Sequence, residues 1–230
     1  LTRGRPTASL VWLDIAIERV RQNGRAPAVF ALIEDAACNT LLTLGREKDV
    51  NRLKRSLQYV EFTKIQPGSY FHQLAYQSRL QYFTERGDLG PEFEALVEEF
   101  DRLNLDPKQV HALVHIYYIH LAHARVHQCL RAEPARRALL LPKLERALLV
   151  IEPLGPRTKA LGAHCKFVRA ALSWFRGSRE EAEAQLVDAE RLANDHDVPW
   201  VSYAVARLRA HILRALGKLE SAHNQAQIAA

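Results

Sequence analysis

Histidine is the residue type in this sequence that is best placed to do chemistry, because half of the ten histidines lie in one short stretch. They are His111, His115, His120, His123 and His127. At 100° per residue of helix, His120, His123 and His127 lie within about 60° of one another, and His111 and His115 form a second face. Two HxxxH pairs of this spacing could each chelate a metal ion such as zinc.

The surroundings of these histidines favour a different interpretation. No carboxylate or cysteine on the predicted helix 107–131 completes either pair, and a metal-ligating histidine usually donates its other N–H to a further acceptor. The helix is apolar on nearly every side, as expected for a central helix. The interpretation that these histidines satisfy hydrogen bonds in the core or line a groove is therefore favoured. No metal or other cofactor is predicted.

The motifs of the common enzyme classes are missing. The sequence has no GxxxxGK[ST] phosphate loop, no GxGxxG, no HExxH, no GxSxG and no kinase HRD or DFG motif. The segment that contains Gly87 and Gly90 precedes a helix, but it lacks the lysine and the hydroxyl side chain that hold phosphate groups in a phosphate loop. We expect no enzyme activity from this chain, and no catalytic residue is assigned.

The cysteine content and the apolar runs of the sequence indicate the cellular compartment. Cys38, Cys129 and Cys165 form no CxxC pair, which argues for a reducing compartment and predicts a cytoplasmic location. No apolar run approaches the roughly 18 residues that a membrane span requires, so no membrane partner is predicted. The chain starts at Leu1 and contains no methionine. It is expected to be a fragment of a longer polypeptide, or a chain whose modified methionines were not transcribed.

The net charge of +6 suggests nucleic acid as a partner. The distribution of charge argues against it, because residues 178–197 hold seven acidic and only two basic residues. Repeats that read RNA present similar residue types at the same place in every unit, and these units do not. A basic helical-repeat protein that binds nucleic acid stays open as an alternative.

Apolar residues recur at helical spacing along nearly the whole chain, which predicts an all-α fold. Prolines stand where helices begin, and glycines such as Gly24, Gly45, Gly87, Gly177 and Gly217 stand where they end. About eleven helices are predicted. Their ranges are 7–23, 27–44, 47–64, 68–86, 91–104, 107–131, 135–152, 157–176, 179–195, 199–216 and 219–229.

The glycine stops recur roughly every 40 to 45 residues, which is typical of an α-solenoid built from helix pairs. The last two units share one pattern, a glycine preceded by alanine at seven residues and followed by alanines at five and twelve. The two sets are Gly177 with Ala170, Ala182 and Ala189, and Gly217 with Ala210, Ala222 and Ala229. This pattern resembles the tetratricopeptide (TPR) repeat, clearly over 157–230 and in degenerate form over 7–156.

The resemblance implies a single helical-repeat domain over 1–230, a right-handed solenoid of antiparallel hairpins. Long degenerate repeats are similar to the helical-repeat regions of bacterial multidomain regulators, which lie beside Ser/Thr kinase, nucleotide-binding ATPase or cyclase domains. The resemblance therefore implies a non-catalytic scaffold or regulatory module for signalling. The implied partner is a protein or peptide, which includes other domains of the same full-length chain. A kinase or ATPase domain would then lie elsewhere on that chain.

The first helix of each TPR pair lines the concave groove, so the resemblance also implies groove residues. In the last two units these are His164, Phe167, Trp174, Arg207, His211 and Arg214. In the degenerate units they are Gln77, Gln81, Thr84, Asp35, Asn39 and Thr43. Arginines at helical spacing suit an acidic or carboxylate-bearing peptide. A solvated face without a ligand, a core role for the tryptophan, and a sensor for a small ligand stay open as alternatives.

Overall fold

A computed structural model describes residues 65–157 and 159–228, together with parts of a helix between residues 11 and 22. All regular secondary structure in these ranges is helical, which confirms the all-α prediction. The α-helices from residue 65 onward are α1 (Tyr70–Arg86), α2 (Pro91–Asp101), α3 (His115–Arg131), α4 (Pro134–Ile151), α5 (Lys159–Phe175), α6 (Arg179–Asp195), α7 (Pro199–Ala215) and α8 (Leu219–Ile228). Short 3₁₀ helices cover Ala112–Val114 and Glu152–Arg157.

Some predictions lie beyond this description. The helices 27–44 and 47–64 fall outside the described residues, and so do Asp35, Asn39, Thr43 and Cys38. The count of eleven helices, the single domain and the solenoid arrangement therefore stay predictions. Across the described ranges, no helix combines the length and the apolar composition needed to cross a bilayer.

The chain divides into two compact units, Leu1–His120 and Leu121–Ala230, with the boundary inside α3. In the first unit, α1 packs against α2. The core there is aromatic, because the ring of Phe100 stacks on Tyr117 at a centroid distance of 3.8 Å. Tyr76 meets the same phenylalanine edge-on at 5.5 Å. Burial of such large rings supplies much of the stabilisation of a small unit.

The helices of the second unit pack in chain order. Contacts join α4 to α5, α5 to α6, α6 to α7 and α7 to α8, and α5 also touches α7. Since only a few residues connect successive helices, neighbours run antiparallel. The alanines of the repeat pattern lie in these interfaces, where Ala170, Ala182 and Ala189 are almost fully buried. Their small side chains allow the helix backbones to approach closely.

The predicted helix 107–131 begins at His115, because side chains bond to the backbone before it. Asp106 Oδ1 accepts from the backbone N–H of Lys108 at 2.9 Å. His111 Nδ1 accepts from the N–H of Leu113 at 3.2 Å and caps the 3₁₀ helix. Local bonds of this kind compete with helix formation. His111 therefore lies outside α3, and the predicted helix face that it shares with His115 does not exist.

Pro142 lies inside α4, and the helix continues on both sides of this residue. Proline removes one backbone hydrogen bond and costs about 3 kcal/mol in an isolated helix interior. Beyond it, Leu144, Ala147, Leu148 and Ile151 are buried at helical spacing. Packing of this face holds the second half of α4 against the core.

The glycine stops are confirmed where the structure describes them. Gly87, Gly177 and Gly217 have φ values of 70°, 86° and 75°. After Gly177, the N–H of Ser178 donates to the carbonyl of Ser173 at 2.9 Å, as in a Schellman motif. The short turn returns the chain antiparallel into α6.

Substitution of Gly177 tests this backbone requirement. An added Cβ would meet nothing within 4 Å, so any cost comes from the left-handed conformation alone. We expect Gly177→Ala to lower the free energy of unfolding by about 1–2 kcal/mol. Gly177→Asn should cost less, because asparagine tolerates this region. Denaturant titration followed by circular dichroism gives both values, and an alanine variant as stable as wild type would contradict the argument.

Candidate functional site

The histidines of the 107–131 stretch have separate structural roles. His111 caps a 3₁₀ helix, as described above. His115 Nε2 lies 3.1 Å from the carbonyl oxygen of Pro107 and donates to it, which fixes the turn before α3. His120 is buried. His111 Nδ1 and His115 Nε2 are thus bonded to backbone groups.

His123 joins three helices of the second unit. Its Nε2 lies 3.0 Å from Nδ1 of His164 on α5. Its ring stacks on Phe167 at a centroid distance of 4.7 Å and lies 4.5 Å from the ring of Trp200 on α7. The four residues form the aromatic junction, which fixes α3, α5 and α7 beside one another.

His164 and Phe167, which were predicted to line the groove, both belong to this junction. They are only 5% and 2% exposed. Burial lowers the pKa of His164 from 6.5 to about 4, so its imidazole is neutral at pH 7. One ring nitrogen of the pair therefore donates to the other, and each satisfies a polar group that would be costly to bury alone.

His127, one turn further along α3, contacts a residue of α7. Its Nε2 lies 3.1 Å from Nη1 of Arg207. A guanidinium group only donates, so the imidazole accepts through Nε2 and carries its proton on Nδ1. Burial, and then the positive charges of Arg207 and Arg131 with His211, lower the pKa of His127 to about 4.

The contact between His127 and Arg207 uses a nitrogen that the metal hypothesis would need as a ligand. The Nε2 lone pair of His127 is bonded to a cation, and His123 Nε2 is bonded to another imidazole. In the parts of the chain that the structure describes, no group of three His, Cys, Asp or Glu side chains is placed to hold a metal ion.

A cleft of about 390 Å³ lies between α7 and α8. Its α7 wall is mostly polar, and its α8 wall is mostly apolar. The lining residues are Tyr203, Arg207, Ala210, His211, Arg214, Leu219, Ala222, His223 and Ala226. The structure thus brings together the three groove residues that were predicted in the last unit, which are Arg207, His211 and Arg214.

The cleft is cationic, and none of its lining residues is acidic. Among the described residues, neither Arg207 nor Arg214 forms an ion pair with a carboxylate. Arg209, on another face of α7, differs because it pairs with Glu190 at 2.7 Å and with Glu183 at 3.3 Å. Burial and the two cleft arginines lower the pKa of His211, so this histidine adds little charge at neutral pH.

The other predicted groove residues lie elsewhere. Trp174 is half-buried, with the guanidinium carbon of Arg179 5.9 Å from its ring centroid. Gln77 is buried in the first unit. Gln81 and Thr84 are half-buried there, and the threonine hydroxyl donates to the carbonyl of Leu80 at 2.8 Å.

Sequence reasoning missed the second wall of the cleft. Leu219, Ala222, His223 and Ala226 come from α8, and the family pattern places groove residues only on the first helix of a pair. The spacing of Leu219, Ala222 and Ala226 is a helical stripe and could have indicated that wall. Tyr203, 44% exposed at the cleft, was also missed.

Acid should destabilise the second unit through His164. Its pKa is about 4 in the folded chain against 6.5 for an exposed histidine, so the unfolded chain binds this proton more tightly. The stability is complete above about pH 6.5 and falls toward pH 4, by at most about 1.4 kcal/mol per pH unit. Denaturant titrations between pH 7 and pH 4.5 should show a shallower pH dependence for His164→Asn than for wild type.

Asparagine keeps a polar atom near the position of Nδ1 but does not titrate. The exposed His223→Asn variant is the matched control. Identical pH dependence of stability in wild type and His164→Asn would show that this imidazole does not supply the effect.

Comparison with protein-family models, with curated proteins and with solved structures finds no match for this chain. The resemblance to TPR repeats therefore rests on residue spacing alone, and the cleft is interpreted from its own geometry.

Proposed function

We propose that this chain is a non-catalytic binding module that holds an acidic segment of a protein or peptide in the cleft between α7 and α8. One observation carries the proposal. Arg207 and Arg214 lie about two turns apart on one helix, face the same cleft, and have no carboxylate partner within it. Two unneutralised cations on one wall favour an anionic ligand.

The chemistry of the walls supports a peptide as that ligand. A guanidinium fork can bond both oxygens of a carboxylate, and such charge-assisted bonds are stronger than neutral ones. The opposite wall presents Leu219, Ala222 and Ala226. An acidic segment that also carries apolar side chains would satisfy both walls, since apolar burial adds to affinity.

The packing of the second unit supports the repeat interpretation. Helices that contact their neighbours in chain order, with α5 also touching α7, are expected in a TPR-like array. In this proposal the units continue as a right-handed solenoid, and packed helices hold the cleft ready before the ligand arrives. The module would scaffold or regulate a bacterial signalling protein, and acidic segments on the same full-length chain are included among its ligands.

A fluorescein-labelled peptide of alternating glutamate and leucine tests the cleft. We expect the double variant Arg207→Ala, Arg214→Ala to bind it at least about tenfold more weakly than wild type, because two charge-assisted contacts are lost. Fluorescence anisotropy measures the affinity. The double variant Arg136→Ala, Arg146→Ala removes the same charge from exposed positions of α4 and should bind as wild type does.

Equal loss in both double variants would show attraction by net charge alone, and no loss in either would exclude the cleft as the binding site. A competition with single-stranded DNA separates the nucleic-acid alternative. Cleft-dependent DNA binding that is tighter than peptide binding and falls steeply with salt would replace the present proposal.

A further inference from the structure

We propose that His127, which is not part of the cleft lining, is a positioning residue that holds the guanidinium of Arg207 toward the ligand through its Nε2 lone pair. This inference rests on the proposed function, because it concerns how the binding wall is prepared. It gives one histidine of the 107–131 stretch a role in preparing the binding site.

The contact links distant parts of the second unit. His127 and Arg207 are 80 residues apart in sequence, and their side-chain nitrogens lie 3.1 Å apart. Arg207 is half-buried at the cleft. One N–H of its guanidinium is used by the imidazole, which leaves the other four for a ligand. An anchored arginine loses less rotamer freedom when a ligand binds than a free one does.

The acceptor must be uncharged for this role, and its surroundings enforce that state. Arg131 acts on His127 from α3 itself, and Arg207 and His211 act on it from α7. All three are basic groups, so a proton on His127 would be repelled as well as poorly solvated. A carboxylate at this position would hold Arg207 equally well but would neutralise the charge that the ligand needs.

The aromatic junction holds the two helices beside each other. His123 lies one turn before His127 on α3, and Trp200 lies about two turns before Arg207 on α7. The rings of His123 and Trp200 are in contact at 4.5 Å. The histidine that accepts and the arginine that donates therefore extend from two helices whose separation is fixed nearby.

Three variants separate positioning from packing. His127→Leu fills a similar volume without an acceptor and His127→Met with only a weak one, whereas His127→Gln places an oxygen that accepts near the position of Nε2. With the labelled glutamate–leucine peptide as probe, we expect about fivefold weaker binding by the two apolar variants. The glutamine variant should bind within about twofold of wild type. Circular dichroism melting shows which variants are folded.

A double-mutant cycle provides the decisive readout. In an Arg207→Ala background, His127→Leu and His127→Gln should have the same affinity for the probe, because there is no guanidinium left to position. Equal affinities of the folded glutamine and apolar variants in the wild-type background would overturn the inference. So would a loss on His127→Leu that persists unchanged without Arg207.

The two proposals fail in different ways. If Arg207→Ala, Arg214→Ala leaves probe binding intact, the cleft itself is not the binding site. If that double variant loses binding but the glutamine and apolar variants of His127 bind equally, the cleft stands and only the positioning role is removed.

Discussion

Three helices of the second unit meet at a pair of buried imidazoles, and much of the arrangement around the cleft depends on their hydrogen bond. A single neutral imidazole in an apolar core would leave at least one nitrogen without a partner, at a cost of about 1–3 kcal/mol. His123 and His164 remove that cost for each other. Phe167 and Trp200 cover the pair with aromatic rings, so the interaction is directional inside a packed core. Directionality matters here because apolar packing alone would allow α3 to rotate or slide relative to α5, which carries His164.

Two arginines of α7 show how position decides the use of the same side chain. Arg209 is bonded to Glu183 and Glu190 of α6, so its charge is neutralised and it ties neighbouring helices together. Arg207, two residues earlier, is bonded to a neutral base and keeps its full charge. Residues two apart on a helix point in different directions, which places one arginine against an acidic helix and the other at the cleft. Glu183 and Glu190 thus neutralise Arg209 on one face of α7.

The parts of the fold set by local sequence could be predicted, and those set by distant partners could not. Periodicity located α6 at its observed bounds, and the glycines at 87, 177 and 217 marked helix ends because a left-handed residue is a local requirement. The buried residues of α2 and α6 recur at the same helical spacing. The role of His127 depends on a residue 80 positions away, and that of His123 on one 41 positions away. The family register placed His164 and Phe167 in a groove, but here that face of α5 packs against His123 of α3.

The size of the cleft limits what it can recognise. A volume of about 390 Å³ is near the lower end of the range for small-molecule pockets, so it accommodates a few side chains and not a whole helix. The remainder of any bound segment must lie over the surface, where Tyr203 and Leu219 of the lining are exposed. A phosphodiester backbone would engage the arginines but leave the alanine and leucine wall uncovered, whereas a peptide with mixed acidic and apolar side chains covers both. Because His127 stays neutral well below pH 7, the cation at this wall is available throughout the neutral range. Recognition would then depend on the charge of the ligand and not on titration of the receptor.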